Sequence, residues 1–132
     1  MRIIILTGLL ALAACAPESE SVDGEVAFMT QCSACHGRDA RGGGAMAANL
    51  PIAPPDLTLI SARNGGNFPQ DRVMSQIDGF TRGAHGRADP MPHFGDGDLG
   101  PLVMTAEDGN PMPVPAELLA LSNYLRVIQR QP

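Results

Sequence analysis

The chain has 132 residues, and its nine basic residues, all arginine, stand against 14 acidic ones for a net charge of −5. An acidic balance of that size excludes binding to a phosphate backbone and so excludes nucleic-acid partners. With no Trp, one Tyr and four Phe beside 15 Gly and 12 Pro, the length suits one small, loop-rich domain with few large core side chains.

Residues 1–14 read as an export signal. Met1-Arg2 is a short positive start, and Ile3 to Ala14 is apolar or small apart from Thr7, too short to span a bilayer. Its end, Leu12-Ala13-Ala14-Cys15, is similar to a bacterial lipobox, in which the cysteine is acylated and becomes the mature N-terminus. The competing cut, after Ala14-Cys15-Ala16, leaves Pro17 first, a residue such peptidases handle badly. Acylation of Cys15 would hold the protein to a membrane almost irreversibly, at ~0.8 kcal/mol per buried methylene. Residues 15–21 are then a polar tether ahead of the domain.

Asp23 is placed to cap a helix running through Met29 to Cys32, on which Gly24, Phe28 and Cys32, four apart, share one face. The helix leads into Cys32-Ser33-Ala34-Cys35-His36. Two thiols three residues apart, with an imidazole directly after the second, form the attachment motif for a c-type heme. Positions i and i+3 of a helix lie on one face, so both sulfurs can meet the two vinyl groups on one porphyrin edge. The next residue can then turn a neutral imidazole nitrogen toward iron. Zinc would want a second pair of ligands, and His85 and His93 offer no common zinc spacing. A thioredoxin-like dithiol would follow a strand, whereas a helical pattern leads in here. The motif predicts one covalent heme at Cys32 and Cys35, bound to iron through His36, and supplying the large apolar surface that the composition lacks.

Gly37, Gly42, Gly43 and Gly44 mark a loop of close backbone approach; with no strand before it and no Lys-Ser/Thr after it, it is not a phosphate cradle. Pro51, Pro54 and Pro55 force an extended segment, after which Asp56 or Thr58 caps a short helix to Arg63, stopped by Asn64-Gly65-Gly66. Pro69 stands in the first turn of another helix, with Val73, Met74 and Ile77 on its buried face, ending at Asp78-Gly79. From Phe80 to Pro115 turn residues dominate and no periodicity survives, a length of loop that is usually functional. Ala116 to Gln129 is helical, with Leu118, Leu121, Leu125 and Ile128 on one face and Tyr124 at its border. No strand pattern stands out.

Over nearly all of residues 22–129 the chain resembles the class I c-type cytochromes. Gly24-x-x-x-Phe28-x-x-x-Cys32 is similar to their first helix, and Leu121-x-x-Tyr124-Leu125 to the matching face of their last. The resemblance implies an all-α fold over residues 22–132, of short helices and long loops wrapped around one covalently bound heme. It also implies that the two helices cross where Gly24 lets the backbones touch, with Phe28 and Tyr124 packing nearby. Relatives often carry Gly-x-Gly-Pro where this chain reads Gly42-Gly43-Gly44-Ala45, and the carbonyl of that proline accepts from the proximal imidazole. Gly44, Ala45 or a later residue such as Pro51 is left to supply the carbonyl here. Without lysine there is no lysine-ringed docking face of the mitochondrial kind.

Met29, Met46 and Met74 fall where a soft core filler is expected, leaving Met91, Met104 and Met112, with His85 and His93 behind them, as candidates for the distal iron ligand. Met91 is preferred because Met91-Pro92-His93-Phe94-Gly95 resembles the Met-Pro-x-aromatic-Gly ligand loop of one branch of the family. Met112 is the alternative, with little chain between it and the last helix. Phe94 to Thr105 would be an insertion beside the heme edge. Asp96-x-Asp98 with Glu107 has a passing likeness to a calcium loop, but Gly100 and Pro101 break the pattern, and a solvated acidic turn is the expectation.

With His36 and a thioether both on iron, only an electron can come and go, and the soft sulfur favours Fe(II). The resemblance thus implies an electron carrier, not an enzyme, on the periplasmic side of a respiratory or photosynthetic membrane, meeting redox donor and acceptor proteins. Two other readings compete with it. One is a heme subunit docked permanently in a larger dehydrogenase or oxidase complex. The other is a ligand-binding heme with an open distal site.

Overall fold

A computed structural model describes residues 22–79, 90–105 and 111–131 of the chain. The first helix, α1 (Gly24–Gln31), starts where the Asp23 carboxylate accepts from the backbone N–H groups of Glu25 at 2.9 Å and Val26 at 3.2 Å. Such a cap is worth ~1 kcal/mol. Cys32 ends the helix in a near-helical conformation, so the chain passes almost directly into a four-residue turn of helix, α2 (Ser33–His36).

The last helix, α5 (Ala116–Val127), buries Leu118, Leu121, Ser122 and Leu125. Pro115 gives it no side-chain cap; instead the carbonyls of Pro101 and Leu99 accept from Ala116 and Glu117 at 2.9 and 3.1 Å, satisfying N–H groups that a helix start leaves orphaned. Helices α1 and α5 cross as expected. A Cβ on Gly24 would stand 2.1 Å from the Ala120 carbonyl oxygen, so glycine is what lets the backbones meet. The Phe28 and Tyr124 rings pack alongside, 5.3 Å apart between centroids.

Two smaller helices complete the frame. A 3-10 turn at Leu57–Leu59 feeds α3 (Ile60–Arg63), and of the two capping candidates Asp56 does the work, accepting from the Thr58 N–H at 2.8 Å and its hydroxyl at 2.6 Å. Helix α4 (Gln70–Asp78) buries Val73, Met74 and Ile77, stops at Gly79, and packs on α5, where Gln70 donates to Asn123 at 3.2 Å. Pro69 stands just outside α4, as its cap.

The expectation of no strand fails in one place. Strands β1 (Leu102–Thr105) and β2 (Met112–Pro115) pair antiparallel, Leu102 opposite Pro115 and Thr105 opposite Met112. Pro113 and Pro115 read as loop residues because they cannot donate to a ladder, but in a two-stranded sheet both strands are edges and the missing donors can face outward. Beside this hairpin lies an open groove of about 650 Å³, lined among others by Val22, Met104, Leu119 and Val127. The core itself is small: of the described large side chains, only Phe28 and Leu121 are fully buried. No described helix is long and apolar enough to cross a membrane.

Candidate heme-binding site

The crossing of α1 and α5 holds the end of α1 in place, and the motif hangs from that end. Within it Cys35 and His36 both donate backbone N–H groups to the Cys32 carbonyl, at 3.2 and 2.9 Å, so Cys32 and Cys35 stand one helical turn apart. Both thiols are free and half-buried. Burial pushes the Cys32 thiol up to about 11, with Glu117 and Cys35 adding to the effect. A redox-active dithiol needs the opposite shift, toward thiolate, so the thioredoxin-like reading has no support in this environment. Among the described residues no three His, Cys, Asp or Glu side chains gather where they could hold a bare metal ion.

Burial also lowers the pKa of His36 below its ordinary value, while the Pro55 carbonyl pulls the other way. His36 Nδ1 is buried with no hydrogen-bond partner. The Pro55 carbonyl acts on the ring, but no hydrogen bond reaches Nδ1. The lowered pKa favours the neutral ring, the form in which imidazole binds a metal. The carbonyl that acts on the ring is a later one than Gly44, Ala45 or Pro51, that of Pro55.

Pro55 reaches His36 because two loop segments are zipped together. Gly42 donates to the His36 carbonyl at 2.7 Å, and Leu57 to the Ala40 carbonyl at 2.8 Å. Gly42 has φ +89°, and a Cβ there would stand 2.1 Å from the Pro54 carbonyl oxygen. The glycine run therefore does provide close backbone approach, and what it approaches is the Pro54-Pro55 segment.

Two free thiols on one turn, followed by a half-buried neutral imidazole, fit a covalently attached heme. The cytochrome c family model matches residues 21–129, most of the chain. The chain belongs to the cytochrome c family. No curated protein and no solved structure gives a match. Membership carries covalently bound heme c and heme-based electron transfer with redox partner proteins.

In this cytochrome the distal candidates are sorted by exposure. Met91 is half-buried and packs, with Phe94, against the core cluster that also takes Cys32 and Leu57. Met104 and Met112 lie on the hairpin, 65% and 47% exposed. His93 is exposed, its ring against Gly79. His85, Cys15 and Glu107 lie outside the described residues. Asp98 accepts from the Gly100 N–H at 3.0 Å, spending one carboxylate oxygen on its own turn. Of the three methionines expected as core fillers, Met74 is buried and Met29 packs against the core, but Met46 is 53% exposed. It caps a short 3-10 turn, Ala47–Asn49.

Proposed function

We propose that this cytochrome is a one-electron carrier in which Cys32 and Cys35 form the heme thioethers, His36 is the proximal ligand and Met91 the distal one. The observation that carries the reading is the Cys32–Cys35–His36 turn itself, with both thiols free and the imidazole neutral. The heme supplies the redox couple. His36 and Met91 would be the protein groups that hold its iron, and with both bound no site would be left for substrate chemistry. Packing of Met91 and Phe94 against the core, on the loop Met91-Pro92-His93-Phe94-Gly95, supports Met91.

Replacing Met91 tests the ligand set. Met91→Ala is expected to abolish the weak sulfur-to-ferric-iron absorption band, lower the midpoint potential and open the ferrous protein to carbon monoxide, while Met112→Ala does none of these. The reverse pattern would make Met112 the ligand.

The same reading places the protein outside the cytoplasm on a lipid anchor at Cys15, in a respiratory or photosynthetic chain. It is supported by the lipobox-like Leu12-Ala13-Ala14-Cys15. Cys15→Ser is expected to move the protein from the membrane to the soluble fraction with its spectrum intact. A wild-type protein already soluble with Pro17 first would end the lipoprotein reading.

A further inference from the structure

In the hairpin Leu102 stands opposite Pro115 and Met104 opposite Pro113. Proline has no N–H, so neither pair can be one that exchanges both backbone hydrogen bonds. The bonded pairs are therefore Val103 with Val114 and Thr105 with Met112. By the alternation of an antiparallel ladder, the N–H and C=O groups of Leu102 and Met104 then point away from β2, along the outer edge of β1. Among the described residues no backbone hydrogen bond outside the hairpin reaches them.

The two outer edges of the hairpin are unlike. On β2 the outward positions are Pro113 and Pro115, so that edge offers carbonyls alone. Proline or charge in an edge is how sheets are kept from adding strands. Strand β1 has neither: it reads Leu-Val-Met-Thr, with Leu102 68% exposed and Met104 65%. It also stands at the opposite end of α1 from the heme turn. Val103 and Met104 share the groove with Val22, Gly24 and Glu25 at the start of α1, whereas Cys32 and Cys35 follow its other end, ~12 Å along the helix.

A strand added to this edge must present outward N–H and C=O groups at positions two apart, and β1 of a second copy does. Set antiparallel about a two-fold axis at Val103, Leu102 of each copy faces Met104 of the other. Both are then bonded pairs, and every outward group of the two edges finds a partner. No charged side chain lies in the seam. The proline edges are left on the outside, so the sheet closes and cannot grow. We propose that two copies of this cytochrome join edge to edge through β1, in a sheet of order β2–β1–β1–β2. The proposal does not depend on the electron-carrier reading.

Holoprotein carrying Cys15→Ser, which removes any acyl chain, is followed by sedimentation velocity and by amide hydrogen exchange. Monomer and dimer are expected in an equilibrium that follows protein concentration and moves toward dimer with added salt, which screens two chains of net charge −5 from each other. The Leu102 and Met104 amides should exchange freely in dilute protein and at least about tenfold more slowly in concentrated protein. Val103 and Thr105, bonded within the hairpin, should be protected in both. Met104→Pro removes one outward donor per copy and no bond of the hairpin, so it should weaken dimerisation at least about tenfold. Met104→Lys keeps the backbone intact and should weaken it as much by placing a charge in the edge, although it lowers the net charge and so the general repulsion. Met112→Lys, on β2, should dimerise as wild type does.

Protein that stays monomeric at millimolar concentration would overturn the proposal. So would a dimer in which the Leu102 and Met104 amides still exchange freely, or a Met104→Lys variant that dimerises like wild type. If those amides become protected in dilute protein on addition of phosphatidylcholine vesicles, and not on raising the protein concentration, lipid covers β1 and the dimer proposal falls.

Discussion

The carbonyl that acts on the His36 ring, that of Pro55, comes from outside the heme motif. Because an acceptor beside the ring makes it a stronger donor at Nε2, Pro55 is expected to favour ferric iron and restrain the potential. Gly42 is the residue on which this depends, through its positive φ and its contact with the Pro54 carbonyl. Gly42→Ala should cost about 1–3 kcal/mol of stability from backbone strain and overlap. It should also raise the midpoint potential as Pro55 withdraws, a change that a merely structural defect would not produce. Denaturant unfolding and redox titration of the same variant measure the two effects, and a destabilised protein with the wild-type potential would show that Pro55 does not tune the ring. At this scale the sequence was fully legible for Cys32, Cys35 and His36, where chemistry dictates residue type and spacing. It was not legible for Pro55, because a carbonyl acceptor carries no side-chain signature and its position depends on how two loops zip together.

The helices were legible as elements because each has a local cause: Asp23 and Asp56 as caps, the apolar face of α4, the Leu118–Leu121–Leu125 stripe of α5. The hairpin was not, since four-residue strands rich in proline have no local signature and exist only by pairing. What joins the elements is equally non-local. Beyond α5, Gln129 donates to the Leu57 carbonyl at 2.8 Å and accepts from the Ser61 N–H at 2.8 Å. Arg130 reaches the Thr58 hydroxyl at 2.9 Å and the Asp56 carboxylate at 3.2 Å. The end of the chain is thereby latched to the segment that follows Pro55. Hydrogen bonds from Thr58, aided by Arg130 and Arg41, hold the Asp56 carboxyl below its ordinary value of 3.8. A depressed carboxyl stabilises the fold fully above the unfolded value, and that contribution is lost as pH falls through the folded one. Asp56→Asn should therefore destabilise near neutrality by no more than about 1 kcal/mol, the scale of an exposed pair. Its deficit against wild type should shrink below about pH 4, where the wild-type carboxyl also loses its charge. Denaturant midpoints measured across that range test it, and a deficit independent of pH would mean that the carboxylate charge contributes nothing.

Across the whole molecule, four of the five described α-helices and their order could be read from the chain, but the thinness of the core is visible only once they are packed. Phe28 and Leu121 are the only large side chains fully buried among the described residues, and the motif end of α1 keeps Cys32, Cys35 and His36 half-open. For a domain of this size, such burial leaves little margin over the conformational entropy of ordering so many loops. A covalently bound heme contributes the missing apolar surface and ties the chain to it at Cys32 and Cys35. The double variant Cys32→Ala, Cys35→Ala should accordingly lose the cofactor in acid–organic solvent, whereas wild-type protein should keep one heme in its denatured intact mass. The variant's far-ultraviolet helix signal should also weaken, and its thermal transition should broaden or vanish. Losing the helices would follow from the α1–α5 crossing alone being too small to hold them, as a fold whose stability comes from tertiary burial rather than helix propensity requires. A double variant that melts cooperatively at the wild-type temperature would show instead that Phe28, Tyr124 and the leucines of α5 make a self-sufficient core, and that the heme is a passenger in it.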